Sequence, residues 1–101
     1  MDRIEIHKFL STFFPNTKHF LFQIFEVSDD EILEEAKRLE GYKIPVKFSD
    51  EKIIERIRLL GLTDVVFYNA FLEVLRKKYK NLSELSKELE EWKKRSIIQY
   101  V

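Results

Sequence analysis

Apolar residues recur along this chain at spacings of three and four, and capping residues, glycines and prolines interrupt them at short intervals. Asp2 with Glu5 reads as a capping-box start, and Ile6, Phe9, Leu10 and Phe13 follow at helical spacing. Pro15-Asn16 breaks this first helix, and Thr17 can cap a short, strongly apolar second one that runs through Phe25. Ser28-Asp29-Asp30-Glu31 is the clearest capping box in the sequence. It opens a helix with Ile32, Leu33, Ala36 and Leu39 inward, which Gly41 closes. Acidic residues in its first turn and Lys37-Arg38 near its end complement the helix dipole.

Residues 42–48 break the helical period. β-Branched and aromatic residues around Pro45 read as an extended connector, and the proline argues against a central strand. Ser49 then caps a helix with Ile53, Ile54, Ile57 and Leu60 on one face. Gly61 stops it, and the longest apolar-rich helix runs from there to about Lys80. Asn81 or Ser83 starts the last helix, where Leu82, Leu85, Leu89 and Trp92 form a seam. The expectation is an all-α fold: a compact single-domain bundle of about six helices over residues 1–101, with an extended connector near 42–48.

Composition narrows the function classes. The chain has 101 residues, enough to close a core without metal or disulfide, and no cysteine to supply a thiol nucleophile or thiolate ligands. Eighteen cations balance eighteen carboxylates, so no global field favours DNA or an acidic membrane. No apolar run approaches the roughly 18 residues a membrane span needs. Asp2 and Glu5 sit where a signal peptide would be basic and then apolar. The expected location is therefore intracellular (cytoplasmic), with no membrane partner. Abundant Lys, Glu and Ile with scarce Gly and Met give the composition a thermophile-like cast.

The junction Leu60-Gly61-Leu62-Thr63 resembles the turn of a DNA-binding helix-turn-helix. Two residues depart from that pattern. Ile57 stands where a small residue usually lets the two helices approach, and the reading face would be Asp64, Val65, Tyr68 and Asn69, with an acid at its tip. On a helical wheel the apolar residues between Val65 and Tyr79 cover about 260°, leaving only a strip through Asn69, Glu73, Arg76 and Lys80 for water. A helix apolar nearly all round is a buried one. An ordinary helix–helix corner is the favoured reading.

Three other features could carry function. Basic clusters close the last two helices: Arg76, Lys77 and Lys80 in one, Lys93, Lys94 and Arg95 in the other. They are candidate phosphate contacts, set against the simpler role of answering helix dipoles. Residues 26–40 hold seven carboxylates against two cations, a local net of −5 that leaves +5 for the rest. A chain so polarised could dock head to tail with copies of itself or on a basic partner. The Phe-rich N-terminal quarter and the apolar C-terminal end contribute candidate docking residues Phe20, Phe22 and Phe25, and Ile97, Ile98 and Tyr100.

Catalytic chemistry is poorly served. His7 and His19 flank a proline break and lack a helical metal-ligand partner, no carboxylate pair sits in an apolar setting, and neither glycine begins a phosphate loop. The expectation is a non-catalytic protein without cofactor, metal or evident small-molecule substrate. A protein–protein interaction module or small subunit of a larger assembly, with a protein partner or homo-oligomer, leads. A nucleic-acid-binding bundle that grips the phosphate backbone without reading sequence is the alternative.

Overall fold

The computed structural model describes residues 1–13 and 21–99, the side chains of the last four excepted. Among the described residues six helices follow one another: α1 (Arg3–Phe13), α2 (Leu21–Ile24), α3 (Asp29–Arg38), α4 (Glu51–Leu60), α5 (Asp64–Lys78) and α6 (Leu82–Gln99). No strand occurs among the described residues, and residues 42–48 run as an extended connector. The all-α reading therefore stands. Pro15-Asn16 and Thr17, expected to break α1 and cap α2, lie outside the described residues, as does His19.

Capping chemistry places most of the boundaries. The Ser28 hydroxyl accepts from Glu31 N–H while the Glu31 carboxylate accepts from Ser28 N–H, which completes the box that starts α3. Thr63 caps α5 through Val66 N–H, and Asn81 accepts from Glu84 N–H at the start of α6. At the end of α4, Gly61 adopts the left-handed conformation, φ 71°, and its N–H reaches back to the α4 carbonyls. Leu62 before the Thr63 cap and Phe67 four residues after it sit where a hydrophobic staple fixes the entry of the chain into α5.

Four boundaries differ from the sequence expectation. α2 is a single turn that ends at Ile24, one residue short of Phe25. Asp50, not Ser49, caps α4, because its carboxylate takes both Lys52 and Ile53 N–H and carries a charge the helix dipole favours. α5 stops at Lys78, where Tyr79 turns extended and lays its ring edge-on to Phe25 at 5.8 Å. α3 ends at Arg38 rather than near Gly41. Arg3 draws the chain off the helix there, donating to the carbonyls of Glu40 and Tyr42 at 3.2 and 2.6 Å.

The core is built around α5, which packs chiefly against α3 and also against α1 and α4. Phe67, Tyr68, Ala70, Phe71, Leu72 and Leu75 are completely buried along it, as the near-continuous apolar wheel requires. α3 contributes Ile32, α4 contributes Ile53 and Ile57, and α6 contributes Leu85 and Leu89. Ile44 and Phe48 of the connector point into the same core, while Lys43, Pro45 and Lys47 point out. That is the period of two expected of an extended segment lying on an apolar surface.

Candidate interaction surfaces

The helix-turn-helix geometry fails at its reading face. Tyr68 and Asn69 are fully buried, and the Asp64 carboxylate accepts from Phe48 N–H at 3.2 Å, so none of the three faces a groove. Ile57 is buried in the α4–α5 contact. The Leu60-Gly61-Leu62-Thr63 junction is a helix–helix corner.

Asn69 corrects the sequence reading, which placed it on the solvated strip. Its carboxamide reads the Ile44 peptide from both sides: Oδ1 accepts Ile44 N–H at 2.9 Å, and Nδ2 donates to the Ile44 carbonyl at 3.0 Å. Nδ2 also donates to the Val65 carbonyl, and Arg3 donates to Oδ1 at 3.1 Å, so two acceptor and two donor contacts are made. Arg3 in turn pairs with Glu73 at 3.2 Å, and Glu73 holds Arg76 at 3.0 Å. Nothing within the helix marks Asn69 for this role except its apolar neighbours on either flank. Its partner lies 25 residues away, on the connector.

The basic end of α5 closes on the acidic helix α3. Lys77 bonds Glu35 at 2.6 Å, Lys78 bonds Glu31 at 3.3 Å and the Glu26 carbonyl at 3.2 Å, and Arg76 is taken by Glu73. Asp29 is paired with Arg56, whose guanidinium lies over the Phe67 ring and also donates to the Val27 carbonyl. Glu34 pairs with Arg38 within α3. The local −5 of residues 26–40 is thus partly answered within the fold, by Lys77, Lys78 and Arg56. The Ser28 N–H, with help from Lys78, holds the Glu31 carboxyl below its ordinary range.

The remaining cations divide. Lys80 is exposed, and its backbone N–H donates to Glu84. Lys93 sits over the Phe13 ring at 5.1 Å, Lys94 approaches Glu91 at 4.0 Å, and Arg95 is exposed. The two clusters belong to different helices, and no hydrogen bond or ion pair among the described residues joins them into one surface.

Of the candidate docking residues, Phe25 is 2% exposed and belongs to the core. Phe22 is half-buried in an aromatic nest, with ring centroids 4.5 Å from Phe71, 5.1 Å from Phe67 and 5.7 Å from Phe48. Phe20 and Tyr100 lie outside the described residues. Ile97 and Ile98 fall within α6, and their side chains are likewise outside what the structure describes. Among the described residues, the large apolar side chains that face solvent are Ile4, Phe13, Tyr42 and, at 80% exposure, Leu59 at the end of α4.

His7 is a satisfied residue. Its Nδ1 lies 2.8 Å from the Tyr68 hydroxyl, and the two rings meet edge-on at 5.6 Å. Burial pushes the Tyr68 phenol well above its ordinary pKa. Between α2 and the start of α4 lies an open cleft of about 730 Å³, floored by Phe22 and Ile53 and walled by Asp50, Lys52 and Arg56. Asp50 caps the helix, and Arg56 is tied to Asp29. Among the described residues, no group of three or more His, Asp or Glu side chains converges as metal ligands would. No helix there is long and apolar enough to cross a membrane.

Comparison with known protein families, curated proteins and solved structures finds no match to this chain.

Proposed function

We propose that this chain is a non-catalytic protein–protein interaction module, or a small subunit of a larger assembly. One observation carries the reading: the cations of α5 are engaged by Glu73, Glu35 and Glu31. A phosphate-gripping face presents its cations to solvent so that bound counterions can be released. Here three of them, each still exposed, are paired with carboxylates of the same fold. The surface instead carries isolated apolar side chains, Leu59 foremost, on helices that are otherwise charged.

The phosphate-binding alternative keeps Lys80 and the exposed Lys93, Lys94 and Arg95 of α6. Fluorescence anisotropy of labelled single- and double-stranded mixed-sequence oligonucleotides separates the two. The module reading expects no binding up to about 100 µM protein at low salt, a range in which even non-specific phosphate binders associate. Binding that falls steeply with salt, and that Arg76→Glu with Lys80→Glu abolishes while melting stays unchanged, would overturn it.

A further inference from the structure

We propose that the outer face of α4 pairs with the same face of a second copy of this chain, as an antiparallel helix pair about a two-fold axis. This rests on the interaction-module reading and names its partner. The inner face of α4 is spent on Ile53 and Ile57, which are buried. The outer face holds Glu51, Lys52, Glu55, Arg58 and Leu59, all exposed. Leu59 is the most exposed of the large apolar side chains described. The four charged residues make no ion pair among the described residues, unlike Arg56 on the flank of the same helix, which is held by Asp29.

Residues seven apart on a helix share a column, within about 20°. Glu51 and Arg58 therefore form one edge of this face, Lys52 and Leu59 the other, and Glu55 runs between them. In a two-fold antiparallel pair each edge meets its own copy reversed. Glu51 then faces Arg58 of the second copy, and Arg58 faces its Glu51. On the other edge the Lys52 methylenes cover Leu59 of the second copy, twice over, while the ammonium stays in water. Glu55 lies nearest the axis and faces its own copy, the two carboxylates being bracketed by Lys52 and Arg58 from both copies. The face carries two acids, two bases and one leucine, and its two edges are each complementary to themselves, with the four cations around the central glutamates.

One ten-residue helix buries less than the roughly 1,200 Å² of a stable interface, so the association is concentration-dependent. Sedimentation of the full chain from about 10 µM to about 1 mM spans the affinity range of such small interfaces. The weight-average mass should rise across it from 12.3 kDa toward twice that value. Arg58→Glu alone should weaken association at least tenfold, because each of its two contacts becomes like-charged. Adding Glu51→Arg to Arg58→Glu restores opposite charges on the edge and should bring association back to within a few-fold of the original. Leu59→Lys, which leaves both helix-terminal charges in place, should abolish association.

Circular-dichroism melts show that each variant is folded. A wild-type chain that stays monomeric throughout would overturn the pairing, as would a dimer indifferent to Arg58→Glu or Leu59→Lys, or one that the double reversal fails to restore in a folded variant. None of these outcomes touches the interaction-module reading, which stands or falls on the oligonucleotide titration.

Discussion

Asn69→Ala removes four hydrogen bonds at one position, and the structure says where the cost falls. The Ile44 N–H and C=O lose their partner together, and Ile44 is buried, so water does not readily replace it. Each buried group left unpaired costs about 1–3 kcal/mol, which gives roughly 2–6 kcal/mol for the pair. Two effects act the other way. Arg3 keeps Glu73 and the two carbonyls of residues 40 and 42, and alanine is the better helix former by about half a kcal/mol. The expected net loss is about 3 kcal/mol, or about 15 °C in Tm for a chain of this size. Urea denaturation followed by circular dichroism measures the first quantity, and hydrogen exchange at the Ile44 amide locates it. In the variant that amide should exchange far faster than the α5 core amides. A loss under about 1 kcal/mol, or an Ile44 amide that still exchanges only with global unfolding, would refute the connector clamp.

Two further outcomes follow from the packing and the caps. Phe71→Ala should cost about 3–5 kcal/mol in the same denaturation assay, because the ring is fully buried against Phe22 and its loss leaves a cavity; under about 1 kcal/mol would mean the core of α5 is misassigned. Glu31 has a folded-state pKa below its ordinary 4.5, so it contributes stability above that value that is lost as pH falls through the lower folded value. Stability measured from neutral pH down to about pH 2 should therefore fall less steeply on the acid side in Glu31→Gln than in the parent chain; identical slopes would remove the capping-box contribution.

Much of the fold is legible in local chemistry. A capping box needs only residues three apart, a left-handed stop needs only a glycine, and a buried helix announces itself by an apolar circumference. The starts of α3, α5 and α6 and the Gly61 stop all follow from residues within one turn of the boundary. Two of the boundaries that moved were moved by distant groups. Arg3 pulls residues 40–42 away from α3, and Tyr79 is held extended against Phe25.

The candidate site was legible only in part, for the same reason. Periodicity assigns a residue to a face, but it does not say which other element will cover that face. Asn69 looked solvated because it shares a strip with Glu73, Arg76 and Lys80, yet the connector arrives from 25 residues away and needs its carboxamide. Charge counting found seven carboxylates in one stretch and a basic cluster in another. Only the packing of α3 on α5 sets Lys77 against Glu35 and Lys78 against Glu31, and so pairs the two charged stretches with each other at the rim of that contact. The sequence by itself determined the helices, because hydrogen bonds and caps within a helix are local. The tertiary structure alone decided which charges and which phenylalanines remain available to a partner, because burial and ion pairing depend on what lies across the interface.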